Sequence, residues 1–216
     1  MKYYAQYPMM RPYIGRYFGK TDRPALLLIG ESHYLPIKSK QHLFAQRWYS
    51  GDSRTLTSEE RKWISTADIL NWARGVGFSD KAHWIWKNAL WEINENGPRY
   101  EDYTRVADEI ASYNFFLRPG TEGKSLIVTP EDVKVANDAF VVHYKKLKPS
   151  AVIFLSSLAF YHFRTPAVCS VPVIRTPHPS SKWWNRVAAK YGNRRGRDIL
   201  AEFIRTLNWN ENALSV

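Results

Sequence analysis

Two apolar stretches, each of which breaks abruptly into a polar turn, most constrain the fold of this chain. Residues 25–34 read Ala-Leu-Leu-Leu-Ile-Gly-Glu-Ser-His-Tyr, and residues 175–184, which follow a second apolar run, read Arg-Thr-Pro-His-Pro-Ser-Ser-Lys-Trp-Trp. A run that is apolar at every position is typical of a parallel strand covered on both faces. Open α/β sheets bind ligands at the carboxyl ends of such strands. We therefore expect both turns to contribute to one site.

The remaining pattern predicts an α/β fold in a single domain spanning residues 1–216. Helices are expected from the capping box at residues 57–60, over 83–94, over 100–111 and over 129–148, and again after residue 183. Strands are expected at 25–29, 113–117, 151–155 and 171–174, and their alternation with helices implies a parallel sheet. Residues 1–24 are expected to form an N-terminal arm.

Composition narrows the class of partner. The chain carries 31 Lys and Arg against 20 Asp and Glu, a net charge of +11, together with nine Trp and thirteen Tyr. Positive charge interleaved with aromatic rings suits nucleic acids, although basic proteins are also often simply well solvated. No run is long enough to cross a bilayer, and no signal peptide is evident, so we expect a cytoplasmic protein without membrane contact. Cys169 is the only cysteine, which excludes an internal disulfide and a cysteine-held metal cluster.

The first turn allows three chemical interpretations. Glu31 and His33, a carboxylate and an imidazole two residues apart, suit a general base with its orienting partner or two metal ligands. Alternatively, both side chains only satisfy hydrogen bonds of the loop. Ser32 is a poor candidate for a nucleophile, because the nucleophile elbow requires G-x-S-x-G and Tyr34 occupies the last position.

Two further segments carry polar groups suited to a base and its phosphates. Asn114 interrupts an apolar run, where an amide must either fix a loop or face a ligand, and Arg118 follows as a candidate for binding a phosphate or carboxylate. His178 lies between two prolines, whose rigidity would hold an imidazole against a developing oxyanion. Residues 181–186 alternate cations with two tryptophans, as in a segment that grips phosphates and wedges bases apart, or as in an amphipathic helix with a tryptophan in the core.

In this order the motifs resemble those of the uracil-DNA glycosylase superfamily, most closely its branches with a G-E-A-P-G first motif. The corresponding residues here are Gly30-Glu-Ser-His-Tyr34, Asn114 with Arg118-Pro119, Thr129-Pro-Glu-Asp132 and His178-Pro-Ser180. The colinear similarity extends over residues 24–205, and residues 35–100 match only loosely, as a helical insertion.

The resemblance implies a three-layer α/β/α sandwich with a central four-stranded parallel sheet, and a role for each matched residue. Glu31 would position water or stabilise the sugar cation, and His178 would donate to the carbonyl of the leaving base. Ser32, His33, Tyr34 and Asn114 would form the base pocket. DNA contacts would come from Arg118, Ser157, Ser180, Ser181, Lys182, Trp183, Trp184 and Arg186.

We therefore expect a monofunctional DNA glycosylase, a hydrolase that cleaves the N-glycosidic bond of a flipped uracil or of another deaminated or modified base. It is expected to act as a monomer on single- or double-stranded DNA, without metal or other cofactor, in base-excision DNA repair or in defence. Two positions depart from the family, because Ser32 replaces a catalytic aspartate and His33 replaces a proline. The alternatives are a metal-dependent hydrolase of the G-E-x-H type and a non-catalytic nucleic-acid-binding member of the fold.

Overall fold

A computed structural model describes residues 2–79 and 83–209, and its centre is a mixed β-sheet. The strands are, in chain order, β1 (Tyr13–Ile14), β2 (Leu26–Gly30), β3 (Tyr34–Leu35), β4 (Ile110–Asn114), β5 (Gly120–Thr121), β6 (Ala151–Phe154) and β7 (Val173–Arg175). Five of them form the main sheet in the order β1-β4-β2-β6-β7, and β3 pairs with β5 in a separate parallel ribbon.

Helices connect the strands of the main sheet. Within the described residues the α-helices are α1 (Tyr3–Gln6), α2 (Ala45–Ser50), α3 (Ser58–Trp63), α4 (Thr66–Gly75), α5 (Trp84–Asn96), α6 (Pro130–Leu147), α7 (Ser157–His162) and α8 (Gly196–Arg205). Short 3-10 helices occupy Pro8–Met10, Ser53–Thr55, Tyr103–Asp108, Pro166–Val168, Lys182–Trp184 and Ala189–Tyr191. None of the described helices is both long and apolar enough to cross a bilayer.

The sheet confirms the expected α/β class but differs in detail from the predicted arrangement. Strands β4, β2, β6 and β7 run parallel to their neighbours, whereas β1 pairs antiparallel with β4 at one edge. The sheet is therefore five-stranded and mixed, not a wholly parallel sheet of four strands. Strand β1 is not predictable from the sequence, because its two residues, Tyr13 and Ile14, are too few to establish a periodic pattern.

Helices cover both faces of the sheet. Leu26 and Leu28 of β2 pack with α5 and α8 on one face, while Leu27 and Ile29 pack with α6 on the other. All four side chains are at most 1% exposed. This two-sided burial explains why β2 is apolar at every position rather than at alternate positions.

The boundaries around β4 differ from the prediction. Residues 100–111 do not form one helix, because a 3-10 helix over Tyr103–Asp108 gives way to the strand at Ile110. The strand then ends at Asn114, whereas the sequence pattern predicts a strand over residues 113–117. Residues Phe115 to Leu117 are fully buried beyond the strand, and continuous burial of this kind leaves no periodicity from which the strand end can be located.

The N-terminal arm packs closely on the fold. The Tyr7 ring stacks on Trp48 of α2 with centroids 4.3 Å apart, and its hydroxyl donates to the Trp48 carbonyl oxygen at 2.9 Å. The Tyr3 hydroxyl donates to the carbonyl oxygen of Leu117, beyond the end of β4. The expected capping box at Thr57 and Glu60 is present, but its helix ends at Trp63 and a new one, α4, begins after the N-cap residue Ser65.

Arg118 lies inside the fold and not on a DNA-facing surface, which corrects its predicted role. Its guanidinium forms two hydrogen bonds to the carboxylate of Asp132, at 2.9 and 2.7 Å, and donates to the carbonyl oxygens of His42 and Ile127. The Arg118 and Asp132 side chains are 6% and 0% exposed. The cation therefore fixes the start of α6 and two loops, and its buried guanidinium is engaged within the protein.

We predict that Arg118→Met destabilises the protein by about 3–5 kcal/mol, because it leaves the Asp132 carboxylate buried without a counter-charge. Urea unfolding would measure the change in the free energy of unfolding. Lys134→Met is the matched control, since Lys134 pairs with Asp138 on the exposed face of α6 and such pairs contribute less than about 1 kcal/mol. Similar losses in the two variants would contradict the structural role of Arg118.

Candidate active site

The polar turns emerge at one edge of the main sheet. Gly30 at the end of β2 is the register partner of Asn114 at the end of β4, and Phe154 at the end of β6 is the partner of Arg175 at the end of β7. The four parallel strands therefore end side by side, and the segments after them share the carboxyl edge, where open α/β sheets form their binding clefts.

Two hydroxyl groups hold the Glu31 carboxylate in place. Ser156 donates to Oε2 at 2.6 Å, and the Tyr34 hydroxyl donates to Oε1 at 3.3 Å. The Ser156 oxygen also accepts the backbone N–H of Ala159 and so caps α7. Because Ser156 is itself fixed by the helix end, the carboxylate has a defined position at the cleft.

The Tyr34 ring forms one wall beside this carboxylate. It lies against Gly120, where a Cβ atom would approach the ring to 2.9 Å. Burial, with a smaller contribution from the negative charge of Glu31, raises the pKa of the Tyr34 phenol to about 12. The phenol therefore stays protonated at neutral pH and remains a hydrogen-bond donor to Glu31.

The Asn114 side chain lies across the backbone of Gly30. A Cβ atom on Gly30 would come within 2.2 Å of the Asn114 Oδ1 atom, so only glycine at position 30 leaves room for the amide. The amide is half-buried and forms no side-chain hydrogen bond with the residues that the structure describes. A partly desolvated amide without partners is costly unless a ligand completes its hydrogen bonds.

The His178 imidazole is held in one tautomer. The backbone N–H of Ser180 donates to Nδ1 at 3.3 Å, and the Ser180 hydroxyl lies 2.7 Å from the same nitrogen. Since Nδ1 accepts this N–H, the hydrogen of the neutral ring is on Nε2. Burial lowers the pKa of His178, and the nearby Glu31 carboxylate opposes this shift only in part. At neutral pH the ring is therefore uncharged and presents an N–H donor.

His33 and Ser32 lie deeper than predicted. His33 is 7% exposed, and its Nε2 atom lies 3.0 Å from the Thr66 hydroxyl at the start of α4. Burial lowers the pKa of the His33 imidazole to about 4. Ser32 is 8% exposed, and its hydroxyl has no hydrogen-bond partner among the described residues. We therefore correct the assignment of His33 from the base pocket to the support of the turn, which it ties to α4.

The same geometry bears on the metal-binding alternative for the first turn. Glu31 is bound by Ser156 and Tyr34, whereas the His33 ring contacts Thr66, so the two side chains serve different partners. Over residues 2–79 and 83–209, no three side chains of His, Cys, Asp or Glu are grouped as a metal site would require. The turn therefore provides no set of ligands of the G-E-x-H type.

The segment after His178 places cations around one tryptophan and buries the other. Lys182 and Lys190 each place an ammonium group over the Trp183 ring, at 4.7 and 5.2 Å from its centroid. Trp184 is 2% exposed and belongs to the core beside α8, which corrects its predicted DNA contact. The remaining members of the predicted DNA-binding segment are exposed or half-buried, namely Ser180, Ser181, Lys182, Trp183 and Arg186.

Ser157, another predicted DNA contact, is engaged within the protein. Its hydroxyl lies 2.9 Å from the Tyr191 hydroxyl, which joins the start of α7 to the segment after Trp183. The residue that reaches the cleft from this turn is the preceding Ser156, which the sequence interpretation did not select. Its position two residues after an apolar strand, as the N-cap of a helix, is the signal that identifies it in retrospect.

Comparison with known proteins does not assign this chain to a family. No protein-family model matches the chain, and a search of curated proteins finds no significant match.

We predict that His33 makes the protein less stable as the pH falls from about 6.5 to about 4. In that window the unfolded chain binds a proton at the ordinary pKa near 6.5, whereas the folded ring resists protonation down to about 4. The full shift corresponds to roughly 3 kcal/mol. His33→Gln, which cannot be protonated, should show a correspondingly smaller loss in urea unfolding across this pH range. Identical pH dependence in the two proteins would refute the buried, neutral state of His33.

Proposed function

We propose that this protein is a DNA glycosylase-like hydrolase that cleaves the N-glycosidic bond of a flipped uracil or of another deaminated or modified base. One observation carries the proposal: three polar groups from separate turns lie at the carboxyl edge of the sheet, and each differs in charge or hydrogen-bonding character. They are the fixed carboxylate of Glu31, the amide of Asn114, which forms no side-chain hydrogen bond within residues 2–79 and 83–209, and the neutral imidazole of His178. The order and spacing of these motifs also resemble the uracil-DNA glycosylase superfamily.

The amide supports recognition of a base edge. Asn114 offers one acceptor and one donor side by side, the pattern that complements the Watson–Crick edge of a pyrimidine or purine. A base must leave the duplex to reach this amide, and bases that are mismatched or already unpaired are extruded at the lowest cost. The neighbouring Tyr34 ring, held by Gly120, limits the width of the pocket on the Glu31 side.

His178 supports departure of the base. As the C–N bond lengthens, its electron pair moves to the base and negative charge builds on a carbonyl oxygen. The Nε2–H of a neutral imidazole is an oriented donor for that oxygen, and the Ser180 backbone fixes its direction. No proton has to be transferred for this stabilisation, so the depressed pKa of His178 is compatible with the role.

The position of Glu31 supports the attack of water on the sugar. Its carboxylate can stabilise the positive charge that develops on the sugar and orient the water that attacks the anomeric carbon. The water loses a proton to the carboxylate or to solvent, and the departing base anion gains one, so the products are a free base and an abasic sugar. Because Ser156 and Tyr34 already donate to the carboxylate, electrostatic stabilisation suits Glu31 better than strong basicity.

The surface around the cleft supports contact with DNA. Lys182 and Arg186 are exposed, and Lys190 lies over the rings of both Trp183 and Tyr191. Cations packed on aromatic faces provide phosphate attraction and a flat ring in the same segment. Together with the net charge of +11, this surface favours a polyanionic substrate.

We predict that the purified protein releases free bases from oligonucleotides that carry uracil, hypoxanthine or modified pyrimidines, as measured by mass spectrometry. Asn114→Ala and His178→Ala should each slow release by at least about 100-fold, the effect of removing an oriented donor at a developing charge. The double variant, purified in the same way, controls for contaminating enzymes. Absence of release from every substrate, single- or double-stranded, would rule out the enzymatic function, and binding without release would indicate a non-catalytic member of the fold.

We also predict that Gly30→Ala slows base release to nearly the same extent as Asn114→Ala, although Asn114 remains in the chain. The new Cβ atom would displace the amide oxygen, which lies 2.2 Å from its position. The melting temperature should change little, since the clash involves the end of a movable side chain. Gly75→Ala is the control, because a Cβ atom there meets nothing within 4 Å. Unchanged release by Gly30→Ala would contradict the role assigned to Asn114.

A further inference from the structure

Exposed tryptophans line α4 and α5 beside the proposed cleft. Trp84 and Trp91 of α5 are 41% and 46% exposed, and Lys87 is exposed between them. Positions i, i+3 and i+7 of a helix share one face. Trp72 of α4, 56% exposed, contacts the ring of His83, the residue that precedes Trp84. We call Trp72, Trp84, Lys87 and Trp91 the tryptophan face.

The tryptophan face contrasts with three other tryptophans, which fill the interior of the protein. Trp48 and Trp184 are at most 2% exposed, and Trp86, on the opposite side of α5, is 7% exposed. Large rings that are 41%, 46% and 56% exposed on adjacent helices mark an interaction surface. The Trp91 ring is also oriented in advance, since it packs edge-to-face on Tyr103 with centroids 5.4 Å apart.

A hydrogen bond connects this surface to the cleft. The Asn88 side-chain amide, one turn after Trp84, donates to the carbonyl oxygen of Pro179 at 2.8 Å. Pro179 directly follows His178, so the middle of the tryptophan face lies at the rim of the proposed active site. Further along α5, Glu92 pairs with Arg197 of α8 at 3.0 Å and holds the helix against the fold. The tryptophan face is therefore fixed relative to His178.

We propose that the tryptophan face binds unpaired nucleotides of the DNA strand that enters the cleft, by stacking bases on Trp84 and Trp91 and pairing a phosphate with Lys87. This proposal rests on the proposed function and names its preferred substrate as single-stranded or locally opened DNA. Flat aromatic rings with an interspersed cation are the chemistry that binds single strands. The bases of an intact duplex stack on one another and leave no faces for the indole rings.

The spacing along α5 suits a short run of nucleotides. Seven residues of α-helix advance about 10 Å, which corresponds to about three nucleotides at the rise of 3.4 Å per nucleotide. Lys87 lies between the rings, where a phosphate of the same strand would pass. A protein partner or a second copy of this chain would not require a cation at this position.

Fluorescence anisotropy with labelled oligothymidine and with a duplex of equal length tests the proposal. The double variant Trp84→Ala and Trp91→Ala should weaken single-strand binding at least about 10-fold, within the range for loss of base stacking, and duplex binding by less than about twofold. The double variant Trp84→Phe and Trp91→Phe should retain most of the affinity because it keeps the aromatic faces. Phe44→Ala is the control, since Phe44 is 68% exposed and precedes α2, which packs on α6 away from α5.

Three results would overturn the proposal: unchanged single-strand binding, an equal loss for single strand and duplex, or failure of the phenylalanine variant to retain affinity in a protein with an unchanged melting temperature. A change in oligomeric state without a change in DNA binding would assign the tryptophan face to a contact between copies and would also overturn it. Because the readout is binding, the outcome is independent of base release. Single-strand binding through the tryptophans without base release would leave this inference standing and remove only the enzymatic function.

Discussion

Complete burial of β2 between β4 and β6 is the constraint on which the cleft depends. In a strand that is covered on both faces and paired on both edges, a polar side chain costs free energy unless its hydrogen bonds are satisfied, so polar groups concentrate where the strand ends. Leu26 to Ile29 satisfy this condition, and Glu31 follows one residue after the strand. Because the neighbouring strands end at the same level, the short turns at this edge concentrate hydrogen-bonding groups that the interior excludes.

Within the cleft, the carboxylate of Glu31 and the imidazole of His178 each owe their state to a neighbouring residue. Ser156 fixes the carboxylate of Glu31, and the Ser180 backbone fixes the tautomer of His178. Burial keeps that imidazole neutral, while the nearby carboxylate limits how far its pKa falls. Such preorganised partners matter because a group that must reorient during the reaction loses much of its electrostatic advantage.

Sequence patterns predicted which segments form the site better than they predicted where individual side chains point. The apolar run of β2 and its polar turn were predictable, since burial on both faces leaves a distinct composition. The structural roles of Arg118 and Trp184 were not predictable. The role of Arg118 depends on a carboxylate 14 residues away, and that of Trp184 depends on which of two adjacent indoles faces α8. The different roles of Ser156 and Ser157 were also not predictable, because one hydroxyl caps α7 and binds Glu31 whereas the next contacts Tyr191, 34 residues away.

The contact between Gly30 and Asn114 also has an evolutionary consequence, because it couples the substitutions that two positions 84 residues apart can accept. Any side chain at position 30 would occupy the space of the Asn114 amide. A substitution of Gly30 is therefore compatible only with an Asn114 side chain that is displaced or replaced. Conversely, loss of Asn114 removes the one contact shorter than 3 Å that a Cβ atom at position 30 would make with the described residues. The two positions are therefore expected to change together, and a homologue with a larger residue at position 30 should be one that recognises its ligand by another means.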